Sequence, residues 1–556
     1  MFTRFPQRID AGHAAPLMSA EAELAEEREM TKAPFISAWI LAGYCAVLGA
    51  TPIVWVVPSS LLRVYPTDAP GSGTTVTASC ARGEYCAFQV ATQAPAGGLT
   101  NVNFSVSNLT GRGGASIPST DLIRYREQYI TVQQHSPTWN GPPNLPITNQ
   151  NTFPDPLVPF IDPATGLPPS SGASYVAAPT NLATGNNAIF WVDTYVPRGT
   201  KAGLYTGTYT VSSDQGSVTG QINVNVWNFT LPLKTSLHTN FNGGNVTVTG
   251  GNAEMMRNRL MPDQDPTGSQ ANDIAQYGLN IVDLGFWSGV NFGHCHMSTA
   301  PAVSTIQAAA AKQQPGLYLN DYSADPESSC TSSKYYNNMI TWGYNFHQAG
   351  VNNLVSQEPV PQLFNDGTGR PAIDDWTMLP LNYNAAAAAN ISFVMSQTGN
   401  EVWSYNDLVQ DNYSPKWELD FPPIQYRIQP GFISQSLGLK GLNYWSIDNW
   451  SSSPWTNPNG KQNSAYPGEG QLVYPGADAG LQGVAPSMRM KFLRDGVQDY
   501  EYVQLLKNCG QSSFALSVAN SVGLNWNWGN WTTDPNALES ARQQLGNQIS
   551  SSNCAP

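Results

Sequence analysis

From residue 235 onward the chain repeats one pattern, a short apolar run followed by a stretch with helical spacing. Strand candidates fall at 236–241, 280–286, 316–321, 353–356, 372–378, 401–405, 441–447 and 472–474. Between them, 253–260, 305–313, 334–349, 383–395 and 423–437 read as helices. Eight strands with intervening helices predict a (β/α)8, TIM-like barrel over residues 235–508. A closing helix at about 487–507 would bury Met490, Leu493, Val497, Tyr500 and Val503, which recur at helical spacing.

The preceding part reads differently. Short β-rich runs bounded by Gly, Pro or Asn occur at 85–94, 99–109, 189–196, 204–212 and 221–229. Ile222, Val224 and Val226 alternate with Asn223 and Asn225, as in a half-buried strand. An all-β sandwich over 74–231 follows, with a boundary at Leu231-Pro-Leu-Lys. Residues 136–180 are too dense in proline for ladder positions and predict a long ordered loop over the barrel mouth or the domain junction.

Ahead of the sandwich, residues 1–34 are polar and are expected to be disordered. No charge appears between Lys32 and Arg63, and 35–57 is long and apolar enough for a membrane anchor or a signal peptide. Either implies export. Composition agrees, because charged residues are only 12% and the polar surface must come from Asn, Ser, Thr and Gln. A net charge of −13 argues against nucleic acid or anionic membrane surfaces as partners of the folded part. Six cysteines outside the apolar run suit an oxidising compartment, with the expected pairs Cys80–Cys86, Cys295–Cys330 and Cys509–Cys554. Residues 509–556 show weak periodicity and read as a C-terminal tail held by the last pair.

Gly441-Leu-Asn-Tyr-Trp-Ser-Ile-Asp-Asn-Trp450 is an apolar run that passes into an aromatic-rich loop. At the C-terminal end of a barrel strand such a loop helps to build an active site. Rings beside a few carboxylates suit a sugar cleft, since sugar C–H faces stack on rings while hydroxyls need acceptors. Residues 441–455, then Gly468-Glu-Gly-Gln-Leu-Val-Tyr-Pro-Gly476, then Pro486-Ser-Met-Arg-Met-Lys-Phe-Leu-Arg-Asp-Gly-Val-Gln-Asp-Tyr-Glu-Tyr502, resemble the end of glycoside hydrolase family 123 catalytic domains. The likeness extends more faintly back to about residue 80. It implies a sandwich followed by a barrel, and an enzyme that cleaves β-linked N-acetylgalactosamine. In that family an Asp-Glu pair acts together with the substrate's own 2-acetamido group, so configuration is retained and no cofactor is needed.

Where the family has Asp-Glu-Pro after a strand, this chain has Ala324-Asp-Pro-Glu327. The resemblance therefore carries over Asp325 but not its neighbour. Glu327, beyond the proline, or Glu358, at the end of another predicted strand, is the candidate acid. The chemistry needs one protonated carboxyl for the glycosidic oxygen and one ionised carboxyl to orient the acetamido group. Asp321, Trp403, Tyr405, Tyr444, Trp445, Asp448 and Trp450 lie on strands or strand-end loops and are candidate sugar contacts, although Trp403 and Tyr444 also fit a barrel core. His294 and His296 flank Cys295 without zinc-site spacing, so no metal is expected. Composition and pattern point to an exported two-domain protein, and the resemblance implies a glycosidase acting on oligosaccharides or glycoconjugates. The alternative is a glycan-binding surface protein on a hydrolase-like scaffold that has lost the acid.

Overall fold

The structure, a computed structural model, describes residues 50–139, 141–244, 250–461, 464–523, 528–552 and 554. The expected disordered segment 1–34 and most of the apolar segment lie outside this range. The end of that segment does not. Ile53–Val56 is a strand paired antiparallel to Glu84–Gln93, with Trp55 buried, so the β-structure begins well before residue 74. No helix among the described residues is long and apolar enough to cross a membrane. The strand claims the last residues of the predicted anchor because Trp55 and Val57 fill a small core with Val64, Ala91 and Ile189.

Two antiparallel-rich sheets form the sandwich. One runs Ile53–Val56, Glu84–Gln93, Asn187–Val196, Leu122–Thr131, Thr152–Pro159. The other runs Thr75–Arg82, Gly216–Thr230, Gly203–Ser213, Leu99–Val106, Thr180–Leu182. Phe104 and Phe190 stack between them at 4.7 Å, and the Cys80–Cys86 disulfide joins the two sheets. The proline-dense stretch is not wholly loop. Thr152–Pro159 is an edge strand, the position where a missing N–H does least harm. The flanking chain reaches the barrel, with Asn144 N donating to Asn412 O (3.1 Å), Ile147 N to Asp420 O (2.7 Å) and Tyr175 stacked on Trp455.

Among the described residues the barrel has seven parallel strands, where eight were expected. In sheet order they are His238–Phe241, Gly441–Tyr444, Glu401–Tyr405, Asp375–Met378, Asn352–Val355, Tyr318–Ala324 and Ile281–Asp283. The remaining gap is bridged by backbone at 261–263. Phe241 N donates to Met261 O, Asp263 N to Phe241 O (both 3.1 Å), and Asp283 N to Asp263 O (2.7 Å). The predicted eighth strand, 472–474, belongs instead to an antiparallel pair, Val473–Pro475 with Val484–Pro486. Helix is also missing between Asn352–Val355 and Asp375–Met378, where only the short turn Pro361–Leu363 intervenes. Residues 424–437 form a helix interrupted by a π turn at Gln429–Ile433, where Pro430 has no N–H to give the ladder.

Met488–Asn508 is buried on every face because the sandwich, the barrel and two further helices all pack on it. Those helices, Ser512–Gly523 and Pro535–Ser552, replace the expected tail. Their Ala/Ser-rich faces give little periodic signal, yet Ala515, Ala519, Leu538, Ala541, Leu545 and Ile549 are buried. Cys509–Cys554 closes this unit.

Candidate active site

Alternation along the barrel strands decides what each side chain can reach. On Glu401–Tyr405, residues 401, 403 and 405 share one face. Glu401 and Trp403 lie towards the strand's beginning. His238 Nδ1 lies 3.0 Å from Glu401 Oε2, and Trp403 Nε1 donates to the same oxygen at 2.9 Å. Trp403 is fully buried among Leu354, Ile281 and Val282. A Cβ on Gly441 would sit 2.0 Å from its ring, so glycine is needed there. Trp403 is therefore barrel core and not a sugar contact.

Tyr444 is also core. It is fully buried against Trp417 and Phe241, and its hydroxyl accepts from Gly470 N at 2.8 Å. Asp321 lies one step out of phase with Tyr318, Asn320 and Tyr322. Fully buried, it accepts from Phe286 N at 2.8 Å and so ties down the next loop rather than meeting solvent. Burial raises its carboxyl well above the usual range, and the nearby Asp283 adds to that.

At the other end of these strands the picture changes. Asp325 directly follows the Tyr318–Ala324 strand. Its N–H donates to Val290 O (3.0 Å), its carboxylate accepts from Ser356 Oγ, and the Tyr322 hydroxyl lies beside it. Burial raises its pKa, while Ser356 and Tyr322 pull it back. Pro326 then turns the chain, and Glu327 takes a left-handed backbone, φ 44°. That turn brings its carboxyl into hydrogen-bond contact with Asp407 and Gln410, with the Asp325 charge close enough to act on it. Burial first, and then those two carboxyls, push Glu327 up to about 9.

Glu358 does not join this group. Its N–H donates to Ser328 Oγ (2.9 Å), its side chain is half-exposed, and its charge acts on Tyr336. The structure brings Asp325 and Glu327 together and leaves Glu358 apart.

Several members escaped the sequence reading. Asp407 stands just past the Glu401–Tyr405 strand, and burial together with Glu469 raises it well above the usual range. Glu469 lies between Gly468 and Gly470, both in left-handed conformations (φ 78° and 66°), and is fully buried. It accepts from Trp445 Nε1 at 2.6 Å, and burial and then Glu418 push it up to about 8. The available signals were the strand-end position of Asp407 and the Gly-Glu-Gly turn in the stretch that carries the family likeness. Trp287 is another. It is 48% exposed, on the loop whose Ser288 N donates to Ser323 O, and its ring lies 6.1 Å from that of Tyr322. Cys295–Cys330 ties this loop to the segment bearing Glu327, while His294 and His296 are exposed.

Of the remaining candidates, Tyr405 is buried close to Asp325, Tyr322 and Asp407, and so forms part of the floor. Trp445 is half-buried and directed by Glu469. Trp450 is half-buried with its indole N–H on Val473 O (2.8 Å). Asp448 is buried, its backbone bridged to Gln471 and its charge felt by Asp263. None of the leading influences on Asp325, Glu327, Asp407 or Glu469 is a cation. At Glu327 burial and two neighbouring carboxyls act together and keep the proton into the neutral range, which is what a general acid needs, whereas at Asp325 the Ser356 and Tyr322 hydroxyls oppose the effect of burial and favour the carboxylate.

Residues 377–506 match the family described as glycoside hydrolase 123, catalytic domain. Among solved structures the chain is similar to a family 123 glycoside hydrolase from Clostridium perfringens, described for the details of glycolipid glycan hydrolysis. The TM-score is 0.62 at 13% identity, covering 91% of this chain and 99% of that one. At that identity the likeness concerns the fold. A β-glucuronidase from Parabacteroides merdae aligns at TM-score 0.26 and 9% identity, over 82% of this chain and 52% of that one, too loosely to carry an argument. No curated protein matches the sequence.

Proposed function

We propose that the chain, whose residues 377–506 match the glycoside hydrolase 123 catalytic domain, is a glycosidase that hydrolyses β-linked 2-acetamido sugars with retention of configuration. Asp325, ionised, orients the substrate's acetamido N–H, and the acetamido oxygen forms the new bond to C1. As the C1–O bond to the leaving group breaks, Glu327 gives its proton to the departing oxygen. Glu327, now a carboxylate, then takes a proton from the water that attacks C1 and reopens the oxazoline ring. The observation that carries this reading is the pairing of Asp325 with Glu327 at the C-terminal end of one barrel strand, the end where barrel enzymes do their chemistry.

In this reading Pro326 displaces the acid by one residue from the family pattern, and the left-handed turn at Glu327 leaves its carboxyl close enough to feel the Asp325 charge. Trp445 and Trp450 are the proposed stacking surfaces and Asp448 a hydroxyl acceptor, with Tyr405 beneath. Trp287 adds an exposed ring on the opposite loop. Three disulfides support export to an oxidising compartment, with the apolar stretch before Ile53 as its signal or membrane tether.

The test is hydrolysis of aryl glycosides, N-acetyl-β-galactosaminides first, against matching glycosides that lack the 2-acetamido group. Cleavage only of the former, with retained configuration in the product, is expected. Equal cleavage of 2-hydroxy analogues would overturn the acetamido mechanism.

A further inference from the structure

Glu327, Asp407 and Glu469 come from three separate segments yet form a row. Glu327 follows the Tyr318–Ala324 strand, Asp407 follows Glu401–Tyr405, and Glu469 sits on the loop after Gly441–Tyr444. Glu327 contacts Asp407, and Asp407 contacts Glu469. The far end of the row is fixed by groups that can only donate, Trp445 Nε1 at 2.6 Å and the backbone N–H of Leu408. Glu469 Oε2 is fully enclosed and meets no N–H or hydroxyl donor. Two facing carboxyls cannot both be acceptors, so each of the two contacts requires a proton between its partners. The backbone is held in unusual conformations along the row. Glu327 and Leu408 have left-handed φ of 44° and 52° without being glycine, and Glu469 is flanked by two left-handed glycines. Such conformations persist where the surroundings enforce them.

We propose that Asp407 and Glu469 are positioning residues that set the proton on the acid: Glu327 donates to Asp407, Asp407 donates to Glu469, and Glu469 bears the row's single negative charge. The donors at the far end favour this polarity, because the short Trp445 N–H contact at 2.6 Å and the Leu408 N–H stabilise a charge on Glu469 more than they would a neutral acid. This inference rests on the reading of Glu327 as the general acid. When Glu327 gives its proton to the leaving oxygen, the Asp407 hydroxyl can turn to the carboxylate left behind, and it turns back to Glu469 once Glu327 has taken a proton from water.

The titratable groups facing the row are Asp325, Tyr322 and Tyr405 around Glu327, and Glu418, Tyr444 and Tyr466 around Glu469. Lys416 acts on Glu418 rather than on the row itself. The raised values of Glu327 and Asp407 agree with a proton on each.

The test is kcat against pH for the full chain, on an aryl N-acetylhexosaminide and on a glycan with a poor leaving group. Asp407→Ala is expected to lower kcat on the glycan at least ~10-fold. Asp407→Asn, whose amide keeps one acceptor and one donor, recovers most of that loss with the basic limb at its wild-type pH. Glu469→Gln removes the charge, so the basic limb moves to lower pH by about 1 unit or more, a shift that a purely structural residue would not produce. If Asp407→Asn moves the limb as far as Glu469→Gln does, Asp407 is itself anionic and the assignment falls. An unmoved limb in Glu469→Gln overturns it as well. Failure of the underlying reading looks different: Glu327→Gln would then cleave the poor-leaving-group glycan with the wild-type basic limb intact.

Discussion

Buried carboxylates occur in two regions of this molecule, and they are treated in opposite ways. Where Met488–Asn508 packs between sandwich and barrel, Asp155, Asp193 and Asp499 each meet a cation, while Glu501 accepts from Ser236 instead. Asp155 lies within 3.1 Å of the Arg489 guanidinium and also accepts from Tyr474 (2.6 Å). Asp193 takes Arg494 at 2.8 Å and Lys491 at 3.2 Å. Asp499 takes Arg427 at 2.7 Å and is also bonded to Arg542. At the barrel mouth, Asp325, Glu327, Asp407 and Glu469 meet hydroxyls, amides and one another.

The consequences diverge. Burial alone would raise Asp193, but Arg494 and Lys491 outweigh it and hold the carboxyl at about 2. Burial with no cation raises Glu327 to about 9. Pairing does not always win, since burial pushes Asp499 up to about 7 although Arg427 opposes it. The lesson is that position in the core does not decide a carboxyl's role; its partner does.

The largest expected effect is at the mouth. Glu327→Gln should slow hydrolysis of natural glycans by about 10²- to 10⁴-fold. It should slow nitrophenyl glycosides far less, because their leaving group needs little protonation. Asp325→Asn should impair both substrates. Denaturant unfolding of these variants near neutral pH should show little loss of stability. A collapse of stability in either variant would mean that the mouth, like the seam, is built of structural carboxylates.

Next comes the seam. Asp155→Ala leaves the Arg489 guanidinium buried without its partner, which typically costs about 3–5 kcal/mol. The measurement is the denaturant midpoint at unchanged slope. Arg489 Nη1 would still donate to Gly468 O (2.6 Å), next to Glu469, so some activity loss is also expected. Activity lost at unchanged stability would contradict the division.

The two regions should also answer pH with opposite signs. The folded value for Glu327, about 9, lies above its ordinary 4.5. Its contribution to stability is therefore complete below about 4.5 and is lost as pH rises through 9. For Asp193 the folded value, about 2, lies below 3.8, so its contribution is present above 3.8 and is lost as pH falls through 2. Glu327→Gln should accordingly be more stable than wild type at pH 9 by about 1–3 kcal/mol, with little difference at pH 4. Parallel stability–pH curves for the two proteins would show that Glu327 titrates like an ordinary surface carboxyl.

Sequence periodicity located most barrel strands because each is a short apolar run, and the 401–405 strand is found where it was expected. It could not show that 472–474 turns back into a hairpin, nor that 261–263 bridges the ring, since both depend on backbone pairing with distant residues. The helices at Ser512–Gly523 and Pro535–Ser552 were hidden because small residues pack there without a strong apolar stripe. At the candidate site, the family resemblance pointed to Asp325, and strand-end position offered Glu327 and Glu358 without choosing between them. Asp407 and Glu469 were not visible, because their meaning lies in contact with each other across two loops. Trp403 and Tyr444 were ambiguous for a related reason: a strand aromatic looks the same whether it faces a sugar or fills the core.

The smallest effect expected is at Glu358, and it tests how sharply the mouth is bounded. This residue also lies just beyond a barrel strand and beside a proline, Pro359, as Glu327 lies beside Pro326. Its surroundings differ. The half-exposed side chain acts on Tyr336, and burial raises its pKa with no carboxyl partner among the causes. Such a residue has no fixed acceptor for its proton and no nearby Asp325 to complete a pair. Glu358→Gln should therefore change kcat/KM on glycans and on aryl glycosides alike by less than ~3-fold, and stability by no more than about 0.5 kcal/mol. A loss of 10²-fold or more confined to glycans with poor leaving groups would transfer the acid's role to Glu358. Glu327 would then be one more carboxyl of the mouth, retained for its charge alone.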